Sequence, residues 1–188
     1  MKLFGIMGKR HSGKDTCVYN VPDAIRYSFA APLKESVKQI FELTDHQLND
    51  PIQKESIDPR YNKSPREILQ WFGTDCMRKF DNDFWIKKFV SFYEKHIESG
   101  STETVIVTDV RFHNEADIIR KLGGVIIEIT RPSIEHIHNK VTDLHISEKE
   151  LELVKSDIVV VNDDTIETLQ KQVLGILSKY STLGGNCK

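Results

Sequence analysis

Apolar positions along this chain keep two alternating rhythms. Short, unbroken apolar runs occur at Leu3–Met7, Thr104–Thr108, Val125–Ile129 and Ile158–Val161, with a weaker one at Arg26–Phe29. Runs of this length predict strands buried on both faces of a parallel sheet. Helical periodicity fills the spaces between them. Lys34–Leu43 is entered through Pro32 near its first turn. Ser64-Pro65-Arg66-Glu67 is a capping box with proline at the first helical position, opening a helix to about Lys79. Asp81 to Asp83 cap the next, whose Phe89, Val90, Tyr93 and Ile97 form an apolar stripe. Asn114–Lys121 ends at Gly123-Gly124, and Asp164 with Glu167 opens a last helix to about Tyr180. The helix after Lys14 is short or kinked, because Pro22 follows closely. Asp50 to Lys63 is polar, carries two prolines and reads as a long loop. Ser181 to Lys188 reads as a loose tail. The alternation predicts an α/β fold, a five-stranded parallel sheet covered by helices on both faces.

Composition narrows the class. The 188 residues suffice for one domain with a full core. A hydrophobic share of 39% with 29% charged residues describes a water-soluble globular chain. The net charge of −2 argues against a broad nucleic-acid footprint, while leaving room for a small anionic substrate held by local basic groups. No apolar run approaches the roughly 18 residues of a membrane span. The chain enters a strand at once, which leaves no room for a signal peptide. Cys17, Cys76 and Cys187 have no metal-binding spacing and fit reduced thiols in a cytoplasmic compartment.

The chemistry concentrates where strands end. Leu3–Met7 runs into Gly8-Lys9-Arg10-His11-Ser12-Gly13-Lys14, which fits G-x-x-x-x-G-K. Glycines at both ends let the backbone curl until several N–H groups point at one anion, and the following helix presents its positive end. Lys14 then reaches the outer phosphates as a point charge, so the segment predicts binding of a nucleoside triphosphate. Where the pattern has Ser or Thr after the lysine, this chain has Asp15, followed by Thr16. The Asp15 carboxylate could hold Mg²⁺ as a hard oxygen donor, or it could cap the helix. Asp109 and Arg111 follow the strand ending at Thr108. An acid there suits Mg²⁺ held through water, and the arginine suits a bidentate phosphate clamp. Ser28 to Glu35 also follows a strand. Lys34, placed in a first helical turn where a cation is unfavourable, points to a bound anion. In Ser64 to Arg78, Trp71 or Phe72 could stack on a base, with Gln70 or Asp75 on its edge and Arg66 or Arg78 on a monophosphate; at least one aromatic belongs to the core. Arg131 to Glu150 holds Arg131, His136, His138, Lys140, His145 and Glu148. A basic segment of this kind suits a lid over a triphosphate. Two histidines without a third ligand argue for polar surface rather than metal, and Ser147 with Glu150 forms a further capping box.

These pieces together resemble the deoxynucleoside monophosphate kinases of tailed phages and some large DNA viruses. The matching segments are GKRHSGKDT at Gly8–Thr16, YSFAAPLKE at Tyr27–Glu35, SPREILQWFGTD at Ser64–Asp75, DFWIKK at Asp83–Lys88, TDVRFHNEADIIRKLGG at Thr108–Gly124 and HISE at His145–Glu148. The resemblance implies a phosphate-loop kinase fold with ATP and Mg²⁺ as cofactors and a deoxynucleoside monophosphate as acceptor. It gives Lys14 and Arg10 to phosphate neutralisation, Lys34, Arg66 and Arg111 to the monophosphate, and Arg131 to an ATP-side lid. It places a helical monophosphate-binding region at 32–98 and the lid at 131–150. Related kinases are often homodimers. The short stretch between Thr16 and Tyr27 departs from the family's longer first helix. Animal-type phosphomevalonate kinase resembles the GKRxSGKD and PLKE pieces too, although the aromatic QWFGTD and FW segments suit a nucleobase better than a base-free acid.

Overall fold

The structure is a computed structural model, and it describes residues 2–133 and 150–183. Its chain divides into two compact units, Met1–Tyr27 with Ile97–Lys188, and Ser28–His96.

The first unit carries the sheet. Strands β1 (Leu3–Met7), β2 (Ala24–Tyr27), β3 (Thr104–Val107), β4 (Val125–Thr130) and β5 (Ile158–Val161) are arranged β2-β3-β1-β4-β5. All neighbours are parallel, with Gly5 opposite Val107 on one side and Ile126 on the other. Parallel pairing places every strand's carboxyl end on one edge, and β1 is central, so the loop after it leaves from the middle of that edge. Helix α1 (Lys14–Cys17) follows that loop, α6 (His113–Lys121) joins β3 to β4, and α7 (Ile166–Leu183) follows β5. Phe4, Ile6, Ile106, Ile127 and Ile129 from the strands pack with Leu169, Val173 and Leu177 of α7 in one buried cluster. Each such side chain contributes about 1.5–3 kcal/mol through removal from water.

The second unit is helical: α2 (Ala30–Phe41), α3 (Asp45–Asn49), α4 (Pro65–Gln70) and α5 (Phe84–Glu98), whose last two residues belong to the first unit. Its core gathers Val37, Leu43, Leu48, Ile68 and Leu69. Residues 50–63 are more ordered than a polar, proline-bearing loop suggests. Gln53–Glu55 forms a 3₁₀ turn, and Asp58, buried, organises the rest. Its carboxylate accepts from the Arg60 Nη2 at 2.7 Å, the Arg60 backbone N–H at 3.0 Å and the Gln47 amide at 3.3 Å. The hydrogen bonds from Arg60, ahead of the cost of burial, pull the Asp58 pKa down to about 2.

Several element boundaries differ from the sequence expectation. β2 begins at Ala24 rather than Arg26, because register with Thr104–Val107 selects it, and Phe29 becomes the residue preceding α2. α2 therefore starts at Ala30, and Lys34 is its fifth residue, beyond the first turn. The dipole argument for an anion at Lys34 loses its ground with that shift. α1 is a single turn, shorter than Pro22 alone requires, and it closes at Val18. α3 was not anticipated, although Thr44 and Gln47 make a capping box with both reciprocal bonds formed. Ser64 and Glu67 make the anticipated box with Pro65 in the first turn, but the helix then widens into a π-helix over Trp71–Arg78. On α5, the buried set is Trp85, Ile86, Phe89, Tyr93 and His96, whereas Ile97 of the expected stripe is exposed. The last helix is capped by Thr165, whose Oγ1 accepts the Thr168 N–H, and not by Asp164.

Candidate active site

The curl at 8–14 is built by close approaches that only glycine allows. A Cβ on Gly8 would lie 2.5 Å from the Ile129 carbonyl oxygen and 2.6 Å from Ser12 Oγ. Gly13 has φ 96°, and a Cβ there would lie 2.6 Å from Asn162 Nδ2. His11 takes the left-handed conformation at φ 64°, and the Ser12 N–H closes the turn onto the Lys9 carbonyl at 3.1 Å. Within this curl Ser12 is buried, and its hydroxyl has no hydrogen-bond partner among the described residues. An orphaned buried hydroxyl is costly unless something arrives to satisfy it. The loop thus has the form of an anion cradle with one polar group left for the occupant.

The cations of the loop differ in their engagement. Lys9 pairs with Glu152 at 3.1 Å. Lys14, 13% exposed at its side chain, lies 3.6 Å from the open carboxylate of Asp15. Because α1 is one turn long, its macrodipole adds little, and anion binding falls to the loop N–H groups and Lys14. The Cys17 thiol donates to the Lys14 carbonyl at 3.0 Å. Burial, reinforced by the charge of Asp15, pushes that thiol up to about 12.

After β3, Asp109 and Arg111 are half-buried. Their segment is held by Glu115, a buried carboxylate that accepts from the Arg111 N–H at 2.8 Å and the Phe112 N–H at 3.1 Å. The Tyr27 hydroxyl is pushed up to about 12, chiefly by burial and then by the charges of Asp109 and Glu115. Arg131 follows β4 and is exposed, whereas His136, His138, Lys140, His145, Ser147 and Glu148 lie outside the described residues, as does Cys187.

In the second unit, Lys34 Nζ donates to Asn49 Oδ1 at 2.7 Å, and Arg66 Nε pairs with Glu55 at 2.5 Å. Trp71 is 50% exposed and meets Phe41 edge-on at 6.4 Å, while Phe72 packs against the buried cluster. Trp71 is thus the more exposed aromatic of the two, and Phe72 the one packed against the core. Gln70 is half-buried, and Asp75 pairs with Lys79 at 3.4 Å. Arg78 is buried, with Nη1 donating to the Asn82 carbonyl at 3.3 Å. Trp85, part of the FW segment, is core: its indole N–H donates to the Gly73 carbonyl at 3.0 Å. Among the described residues, no three His, Cys, Asp or Glu side chains converge on a metal position. No described helix is long and apolar enough to cross a membrane.

A sequence profile described as deoxynucleotide monophosphate kinase matches residues 41–173. This chain belongs to the deoxynucleotide monophosphate kinase family. A protein of Acanthamoeba polyphaga mimivirus named for the same activity is 38% identical to this kinase over 197 residues, covering 97% of this chain and 100% of its own. The deoxynucleotide monophosphate kinase of Enterobacteria phage T4 is 33% identical over 115 residues, which covers 61% of this kinase and 45% of the phage enzyme. Among solved structures, the dephospho-CoA kinase of Campylobacter jejuni aligns over 98% of this chain and 100% of its own, with a TM-score of 0.53 and 16% identity. That likeness shows the phosphate-loop kinase fold. The kinase is accordingly a phosphotransferase that phosphorylates deoxynucleoside monophosphates at the expense of ATP, and the phosphomevalonate alternative falls away. Residues that the sequence pattern did not single out partner the candidates: Asn162 and Gln170 bond the Ser12 and Thr16 carbonyls and Glu115 the Arg111 N–H, and within the second unit Glu55 and Asn49 pair with Arg66 and Lys34. Of these, Glu115 was within reach of sequence reasoning, three residues after Phe112 at a helix start.

Proposed function

We propose that Gly8, Lys9, Arg10, His11, Ser12, Gly13 and Lys14 hold the phosphates of ATP, with Arg131 assisting, and that Lys34, Arg66 and Arg111 hold the phosphate of the acceptor. The observation that carries the nucleotide half is the curled loop whose buried Ser12 hydroxyl has no partner among the described residues. Trp71 offers its exposed ring to the base, with Gln70 beside it in sequence and Asp75 one π-turn on.

The donor set fits magnesium. Asp15, Thr16 and Asp109 supply hard oxygens, and Mg²⁺ binds through one or two carboxylates together with phosphate oxygens and water rather than in an all-protein cage. When bound, Mg²⁺ supplies charge neutralisation at the β- and γ-phosphate oxygens of ATP. An α-phosphate oxygen of the acceptor forms the new bond to the γ-phosphorus, the bond from that phosphorus to the β–γ bridging oxygen breaks, and ADP leaves. The acceptor is already an anion, so no general base is required. Lys14 and Arg10 lower the barrier by meeting charge on the transferred group, and the cations on the acceptor hold its oxygen in line.

The test is an ADP-release assay with ATP and Mg²⁺ across dTMP, dGMP, dCMP, dAMP, their ribose forms and phosphomevalonate. Turnover with at least one deoxynucleotide, and none with phosphomevalonate, is expected. Turnover with phosphomevalonate alone would overturn the assignment of the acceptor.

A further inference from the structure

An anion-binding loop imposes a condition on its carbonyls. A trans peptide is planar, with C=O and N–H pointing in opposite directions. If N–H groups face the phosphates, their partner carbonyls must face away, and each needs a donor there or the peptide is free to flip. The Ser12 carbonyl receives such a donor from far along the chain, and a second long-range amide meets the Thr16 carbonyl in the turn of α1 that follows. Asn162 Nδ2 donates to the Ser12 carbonyl at 2.8 Å, and Gln170 Nε2 donates to the Thr16 carbonyl at 2.9 Å. The first bond fixes the Ser12–Gly13 peptide, whose N–H belongs to Gly13.

Asn162 is itself held firmly. It follows β5, and its backbone N–H donates to the Thr130 carbonyl at the end of β4 at 2.7 Å. Its amide fills the space that a side chain on residue 13 would need, and Leu169 Cδ2 stands 3.2 Å from the same point. Gly13 and Asn162 are therefore a matched pair: the glycine admits the amide, and the amide fixes the glycine's peptide. Gln170 comes from α7, next to Leu169 of the core cluster.

We propose that Asn162 is a positioning residue for phosphoryl transfer, a side-chain amide that clamps the outer face of the phosphate loop so that the Gly13 N–H stays aimed at the nucleotide, while Gln170 braces the α1 turn that follows. The inference rests on the loop holding ATP, as proposed above. In this role Asn162 acts through the Ser12 carbonyl and Gln170 through the Thr16 carbonyl.

Steady-state kinetics and direct ADP titration on the full-length Asn162→Ala, Asn162→Asp and Gln170→Ala variants test the clamp. Loss of one half-buried hydrogen bond that orders the loop is expected to raise the ATP KM and the ADP Kd by roughly tenfold in Asn162→Ala, with the KM for the monophosphate within twofold of the parent. Asn162→Asp keeps the size but turns an oxygen toward the Ser12 carbonyl, so it should bind ADP more weakly than Asn162→Ala. Gln170→Ala should move the same constants in the same direction by a smaller factor. If Asn162→Ala does not fold, Asn162→Asp decides alone. Unchanged ADP affinity in folded variants, or an equal rise in both KM values, overturns the clamp. ADP binding is read without any acceptor, so a wild-type protein that binds ADP yet phosphorylates no deoxynucleotide would sink the acceptor assignment while leaving this test readable.

Discussion

At the scale of single residues, a side chain's partners separate chemistry from scaffolding. Lys14 pairs at 3.6 Å with a largely exposed Asp15, an interaction worth little to the fold. Lys14→Ala is therefore expected to cost at least a hundredfold in kcat while leaving the thermal midpoint unmoved; near-normal turnover would remove Lys14 from the mechanism. Arg66 is bound to Glu55 in the structure, so the acceptor's phosphate must compete with that carboxylate. Arg66→Ala should raise the KM for the monophosphate far more than that for ATP, and the reverse pattern would reassign it. The glycines and Lys14 of the loop were legible because their spacing is fixed by how a backbone wraps an anion. Asn162 was not, since nothing local in residues 158–170 reports that an amide will meet a carbonyl 150 positions earlier. Trp85 shows the same limit: composition marks an aromatic group as available, and only packing shows its indole N–H engaged by the Gly73 carbonyl.

At the scale of elements, caps are legible and widening is not. The Ser64–Glu67 box could be read directly, since it depends on residue types three apart. Ser64→Ala removes the acceptor of the Glu67 N–H and is expected to destabilise the protein by about 1 kcal/mol, measured by urea unfolding at neutral pH; an unchanged midpoint would mean the box adds nothing to the tertiary contacts of α4. The π-helix at Trp71–Arg78 left no sequence trace, because one extra residue per turn is chosen by tertiary partners. Two of these partners are identifiable. Leu33 fills the space beside Gly73, 2.8 Å from where a Cβ would be, and Trp85 captures the Gly73 carbonyl. Such widened turns occur mostly where function requires an irregular register, and this one carries Trp71 and Asp75.

At the scale of the molecule, the strands and their parallel sense followed from the alternation of apolar runs and helices. Their order, β2-β3-β1-β4-β5, did not, because adjacency depends on crossovers that span up to 80 residues or so. Long-range order has a second expression in the helical unit, where Asp58 ties together Gln47, Arg60 and the bridge to Lys63. Its folded pKa of about 2 lies below the ordinary carboxylate value of about 3.9. The stabilisation is thus fully present above about pH 4 and is lost as pH falls through about 2. Asp58→Asn should lower the thermal midpoint at neutral pH and flatten its fall between about pH 4 and pH 2. Parallel melting curves for the variant and its parent would show that Asp58 does not couple the fold to acid.

The buried thiol beneath the loop has a use of its own. With its thiol pushed up to about 12, Cys17 stays protonated at pH 7, and its side chain is sealed under the turn that begins at Lys14. An alkylating reagent can reach it only during moments when that turn opens, so its labelling rate is a stopwatch for those openings. In a background with Cys76 and Cys187 replaced by serine, the rate should fall as ADP is added, converting a chemically silent residue into a gauge of how long the loop stays shut.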